Sequence, residues 1–352
     1  MSDLPILNNA GKVSGELVKF CYLAEELKIT EIAEVKIIDF YNDIGLMVSA
    51  QKKAIKIISD VLEIEPPEFL FCKGHVKASE VMGCEIFQPE DNEPFIRKGI
   101  LSDISDLKSF RPPPPESNPV VLDLISKAKK FYDLTGIRDT VMFEGPFTVS
   151  CFLRGQTSFL IDLIESPGLC GELIARVTDA AIEWKKFHDY ELGIVKPDTT
   201  GLVDDSIINI SPSLFEKIVL PQLLRWYDAF PSARRHFHCC GNITNFLSAL
   251  SKLNLTQYDM FGEMIDTREM KKYFHGVFIS KLVDFRLVRD SNEYDIRKHV
   301  LKECESGAHG GNFGLCLEGI RGVPLQKARI VRDAIAEFNG GEVPAFEKID
   351  GI

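Results

Sequence analysis

The feature that most constrains this chain is the serial order of its apolar segments. Runs of strand length alternate with longer segments of helical period. Strand candidates are residues 69–72, 140–143, 200–210, 235–239, 257–261, 277–280 and 313–316. Helical candidates are residues 52–62, 120–134, 159–165, 169–192, 243–253, 295–304 and 324–338. Two further helical stretches fall within residues 15–50. Ser213 and Glu216 have capping-box spacing at the head of another helix, which Pro221 should kink. Repeated β-then-α units predict a parallel sheet. At 352 residues, seven or eight such units close more economically as a (β/α)8 TIM barrel than as an open sheet. The expectation is therefore an α/β chain with residues 1–65 as a helical extension packed on a barrel of residues 66–352. The site should then lie among polar side chains at the C-terminal ends of the strands.

Composition narrows the function. With 45% hydrophobic and 26% charged residues the chain suits neither a fibrous nor a disordered protein. Its net charge of −11 and the lack of a basic patch argue against nucleic-acid and membrane partners. The first twenty residues do not resemble a signal peptide, and no later run reaches roughly 20 apolar residues, so a cytoplasmic protein is expected. Nine cysteines spread thinly through such a chain point to thiolate or metal chemistry rather than disulfides. Pro112 to Pro115 form a stiff surface connection.

The most informative stretch is Arg234-Arg235-His236-Phe237-His238-Cys239-Cys240-Gly241-Asn242. Alternation along a strand puts His236, His238 and Cys240 on one face. Imidazole and thiolate suit Zn²⁺, and a catalytic zinc takes three protein ligands and keeps a fourth position open. Cys316, at the end of another candidate strand, would complete a set of His238, Cys240 and Cys316. On the residues alone, two buried cysteines and a satisfied core histidine explain the same pattern.

His238-Cys239-Cys240-Gly241-Asn242, followed at long range by Gly314-Leu315-Cys316, resembles the His-x-Cys-Gly … Cys zinc signature of methylcobamide:thiol (coenzyme M type) methyltransferases, a branch of the uroporphyrinogen decarboxylase superfamily. Other segments agree in the same order: residues 78–87, Glu144-Gly145-Pro146-Phe147-Thr148, Leu202-Val203-Asp204-Asp205, and Ile210-Ser211-Pro212 through Val219-Leu220-Pro221. The resemblance spans roughly residues 35–338. It implies a zinc-dependent enzyme that moves a methyl group between a corrinoid protein and a thiol or similar small acceptor. The substrate thiolate would bind at the open zinc position and attack the methyl carried on cobalt. No corrinoid-binding loop is found in the chain, so cobalamin would come on a partner protein. Whether the enzyme is a homodimer stays open.

Two departures matter. The arginine-bearing N-terminal loop that grips tetrapyrrole propionates in the decarboxylases has no counterpart before Glu34, and Cys316 sits in NFGLCLEGIRGVP where relatives have a Pro-Gly-Cys-Gly type turn. Among the remaining candidates, Glu263 would occupy the fourth zinc position at rest. One of Asp204 and Asp205 would orient substrate or the ring proton of a histidine behind the ligands, unless one caps the following helix. His236 is expected in the core or just behind the metal ligands, and His309 in an exposed loop. The alternatives are a substrate:corrinoid methyltransferase acting as demethylase of methylated or methoxylated small molecules, a decarboxylase-like lyase, and a non-catalytic corrinoid-binding barrel.

Overall fold

The computed structural model describes residues 17–140, 143–261 and 265–346. Seven strands form one sheet, all neighbours parallel: β1 (Lys19–Ala24), β4 (Phe143–Glu144), β5 (Thr199–Val203), β6 (Arg234–Cys239), β7 (Gln257–Phe261), β8 (Phe278–Leu282) and β9 (Phe313–Gly319). A separate antiparallel hairpin is made by β2 (Glu85–Phe87) and β3 (Phe95–Lys98). The order around the sheet is β1-β9-β8-β7-β6-β5-β4. First and last strands thus pair early in the order, as barrel closure requires. The fold is a (β/α)8 TIM barrel with a run of helical segments after its first strand.

Between β1 and β4 the barrel wall is completed by an extended segment rather than a laddered strand. Its end is tied to both sides: Gly74 N donates to Glu26 just past β1, and Lys73 Nζ meets Asp139 Oδ1 at 2.8 Å just before β4. This is where the sequence places its first strand, residues 69–72; the run is extended but carries no strand pairing. The larger correction concerns β1. Residues expected to belong to a helical extension include a strand that pairs with β9 from Lys19↔Gly314 to Ala24↔Gly319, so the sheet begins well before residue 66. The helices Glu26–Ala33, Ile37–Asn42 and Ile44–Leu62 follow β1. The long Ile44–Leu62 helix buries Met47, Ala50, Ala54, Ile58 and Leu62 on one face, the spacing an amphipathic helix needs.

Most other elements fall where the apolar pattern puts them. Helix Pro119–Thr135 is opened by Asn118, whose side chain accepts from Val120 N and Val121 N, and is closed by Gly136 in the left-handed region. Pro221 acts as expected, in a particular way. The helix begins at Pro212, capped by Ser211 rather than Ser213, runs as a π turn over Phe215–Val219, and resumes as α-helix at Leu220–Asp228. A proline has no N–H for the i−4 carbonyl and crowds it, so the ladder slips by one residue before it.

A chain of buried charges links the extended segment, the turn before β4 and the helix Pro167–Glu191. Lys73 meets Asp139, Asp139 Oδ2 lies 3.0 Å from His188 Nε2, His188 Nδ1 lies 3.5 Å from Asp189, and Asp189 takes Lys185 Nζ at 3.1 Å. Each charge is matched, which buried ion pairs require. Lys73 and His188 accordingly hold Asp139 well below the usual carboxylate range, against the effect of burial.

Candidate functional site

Strand β6 carries the site because its sequence switches from polar to buried along its length: Arg234 is exposed, whereas His236, Phe237, His238 and Cys239 are buried. Phe237 and Cys239 turn outward into the helical layer, which leaves His236 and His238 for the barrel interior. Cys240 follows the last strand residue. Gly241 then turns the chain at φ 119°, and a Cβ there would stand 2.7 Å from Ile208 Cδ1, so glycine is required on both counts.

A cavity of about 620 Å³ opens above these residues at the C-terminal ends of the strands, with His236, His238, Cys240, Asp205 and Asp259 in its wall. His238 Nε2 lies 3.0 Å from Cys240 Sγ and 3.9 Å from Asp205 Oδ1. The Cys240 backbone N–H donates to the same Asp205 oxygen at 2.5 Å. The three ligand atoms of Asp205, His238 and Cys240 all lie within 4.8 Å of one another. Around a tetrahedral zinc with bonds of about 2.0–2.3 Å, donor atoms stand roughly 3.3–3.8 Å apart. This donor set brackets that spacing and combines one imidazole, one thiol and one carboxylate, so the residues present fit a zinc ion.

Cys316 does not join that group. It does face the same space. Its register partner Leu282 and its neighbour two positions on, Glu318, both line the cavity, so alternation directs Cys316 inward as well. Three strand spacings separate β9 from β6, and the pair on β6 is met first by Asp205 from the end of β5. Glu263 lies outside the described residues.

The two aspartates after β5 divide their work. Asp205 faces the cavity. Asp204 is fully buried, and accepts from Phe147 N at 3.3 Å, Thr148 N at 2.9 Å and Thr148 Oγ1 at 2.7 Å. Those N–H groups open helix Pro146–Arg154, so Asp204 caps the helix of the preceding β/α unit rather than one that follows it. Burial pushes its carboxyl up to about 7. Thr148 Oγ1 also accepts from Ser206 N, which ties the turn after β5 to that helix and fixes where Asp205 points.

His236 is a core histidine, as its place further down the strand suggests. Its Nε2 lies 2.8 Å from Asp259 Oδ2, with both side chains almost fully buried, and its carbonyl takes the Tyr227 hydroxyl. His309 lies in an exposed turn, where its carbonyl accepts from Lys271 Nζ. Several cavity residues are not among the site candidates drawn from the sequence: Glu25, His75, Glu144, Asp259 and Glu318. Glu318 is two residues past Cys316, so alternation along β9 could have found it. Asp259 is identified only by its partner on the neighbouring strand. His75 lies 3.2 Å from Glu93 and 4.0 Å from Glu25; burial works against its charge, but these carboxylates hold its pKa up at about 10.

Comparison with known proteins agrees with this architecture. The profile of the family "Uroporphyrinogen decarboxylase (URO-D)" matches residues 23–337. The chain belongs to the uroporphyrinogen decarboxylase family. Among curated proteins there is no match. Among solved structures, a methyltransferase from Methanosarcina mazei superposes with a TM-score of 0.71 over 93% of this chain and 95% of that one, at 16% identity. Identity that low speaks for the fold. The uroporphyrinogen decarboxylase family match begins at Leu23, and so takes in the last two residues of β1 and the strands that follow. Among the described residues no helix is long and apolar enough to cross a membrane.

Proposed function

We propose that this chain is a zinc-dependent methyltransferase that moves a methyl group between a corrinoid protein and a thiol or similar small acceptor. The observation that carries the reading is the His238–Cys240 pair, 3.0 Å apart at the rim of β6 and in the wall of a cavity toward which Cys316 also turns. Membership of the uroporphyrinogen decarboxylase family and likeness to a solved methyltransferase of the same fold support it.

His238, Cys240 and Cys316 would hold the metal, with the carboxylate of Asp205 or of Glu263 available for the remaining position. Zinc bound there supplies Lewis acidity, which deprotonates a coordinated thiol and keeps it nucleophilic. The protein's own groups do the rest. Asp205 takes the Cys240 N–H and so fixes the turn that presents the Cys240 thiol. Asp259 orients the His236 ring beneath the donor pair. Helix Pro146–Arg154, held by Asp204, closes one side of the cavity through Thr148 and Phe152. The opposite substrate, a methylated corrinoid, would be brought to the cavity mouth by a partner protein.

The wall also bears on the decarboxylase-like alternative. A tetrapyrrole with several propionates needs cationic side chains around it, and among the described residues no lysine or arginine lines this cavity. A demethylase of methylated small molecules uses the same groups in the reverse sense. The deciding experiment follows methylcobalamin loss with thiols, and methylation of reduced cobalamin by methylated donors, using zinc-loaded protein. Turnover in either direction that is abolished by Cys240→Ser supports the reading. Turnover in neither, together with conversion of uroporphyrinogen to coproporphyrinogen, would replace it with the lyase.

A further inference from the structure

The cavity above His238 and Cys240 has more carboxylates than cationic groups in its wall. Carboxylates reach it from five separate elements: Glu25 just past β1, Glu144 at the end of β4, Asp205 after β5, Asp259 in β7 and Glu318 in β9. The basic groups in the described wall are three histidines, and each already faces a carboxylate: His236 with Asp259, His238 with Asp205, and His75 with Glu93 and Glu25, which hold its pKa up at about 10. The shortage of stronger cations is local. The chain has 41 lysines and arginines, and a separate cavity of about 700 Å³ is lined by Arg138, Lys185, Lys196 and Arg234.

The carboxylates also have a direction. In the sheet order β1 stands four strands from β6, which is across the barrel, and β9 is its neighbour. Glu25 and Glu318 therefore face the donor pair from the far wall, with Glu144 between. Glu144 accepts the Ser79 N–H at 3.0 Å; among the described residues it makes no ion pair with lysine or arginine. Burial pushes its carboxyl up to about 7, the hydrogen bonds from Ser79 and the charge of His75 offsetting only part of the desolvation. Phe152 adds an aromatic surface to the wall. A cleft with low-dielectric walls and an excess of one sign of charge concentrates its potential and selects ligands of the opposite sign, and an aromatic face helps to hold an alkylammonium.

We infer that the small molecule entering this cavity is cationic, an ammonium or quaternary ammonium compound. Its positive group is held by Glu25, Glu144 and Glu318, and its reacting end lies at His238 and Cys240. The inference deepens the methyl-transfer reading and rests on it for the reaction, although the charge preference can be measured without turnover.

Calorimetric titration of zinc-loaded protein with three thiols of equal chain length tests it: cysteamine, mercaptoethanol and mercaptoethanesulfonate, which end in an ammonium, a hydroxyl and a sulfonate. Choline and its neutral carbon isostere dimethylbutanol form a second pair without sulfur. Cysteamine should bind roughly tenfold or more tightly than mercaptoethanesulfonate, and choline more tightly than dimethylbutanol. Glu318→Gln and Glu144→Gln, checked for native circular dichroism, should each narrow both ratios. Sulfonate binding equal to or tighter than ammonium binding overturns the inference, as does indifference to charge in the choline pair. If the protein holds no zinc and no thiol binds, the metal reading fails, while the choline pair still decides the charge of the ligand.

Discussion

Replacing Gly145 by alanine tests how the site is held in place. Gly145 has φ −59° and ψ 150°, which any residue adopts, so backbone strain plays no part. The added Cβ would stand 2.2 Å from Asp204 Cγ and Oδ2 and 2.3 Å from its Cβ, far inside the roughly 3.5 Å of a carbon contact. Neither partner can simply withdraw. Gly145 N donates to Val203 O at 2.6 Å and Asp204 N donates to His238 O at 3.1 Å, so both backbones are pinned to the sheet. Accommodating the methyl group combines overpacking, about 1–3 kcal/mol, with loss of at least one hydrogen bond to a buried carboxyl, about 1–3 kcal/mol. Together these give a destabilisation of about 2–6 kcal/mol. Urea unfolding followed by tryptophan fluorescence suits the question. The chain has two tryptophans, and both pack against Phe143, two residues before the substitution, Trp184 edge-on and Trp226 tilted, with ring centroids 4.2 and 5.4 Å away. Gly168→Ala is the control, since nothing lies within 4 Å of a Cβ there, and it should be neutral or slightly stabilising. A Gly145→Ala protein within about 1 kcal/mol of the wild type would refute the packing argument.

Gly241→Ala should cost about 1–3 kcal/mol in the same assay and weaken zinc retention against a chelator, because the turn at φ 119° presents Cys240 and has no room beside Ile208. Asp139→Ala leaves Lys73 and His188 buried without their shared carboxylate and should cost about 3–5 kcal/mol in thermal or urea unfolding. Glu144→Gln should change how stability depends on pH. The folded-state pKa of Glu144 is raised to about 7 from 4.5, so the stability it contributes is present below about 4.5 and lost as pH rises through 7. The difference in urea midpoint between variant and wild type should therefore shift in the variant's favour from pH 5 to pH 8, and a constant difference would contradict the assignment.

The sheet from β5 to β9 was legible because each strand is a short, mostly apolar run bounded by helix signals, and parallel barrel strands are buried on both faces. β1 was not. Its six residues, KFCYLA, stand before a long helical region, and their partner in β9 lies at the other end of the chain. Pairing at that range leaves no local trace. Residues 69–72 have strand composition, yet their polar groups are met by side chains: Gln51 accepts from and donates to the Leu70 backbone, so no ladder forms. At the site, period-two alternation placed His238 and Cys240 together and put His236 deeper, all from the sequence of one strand. Asp205 was singled out beside them, but its contact with the Cys240 N–H depends on the neighbouring strand end. The capping role of Asp204 depends on Thr148, a residue from a different β/α unit, which a single-strand reading does not reach.

Zinc content together with zinc K-edge X-ray absorption on the purified full chain, wild type and Cys316→Ser, tests the central claim most directly. The account predicts about one zinc per chain, with two sulfur neighbours near 2.3 Å and one imidazole nitrogen near 2.0 Å, and one sulfur fewer or loss of the metal in Cys316→Ser. Wild-type protein that binds no zinc, or binds it with a single sulfur unaffected by Cys316→Ser, would contradict it.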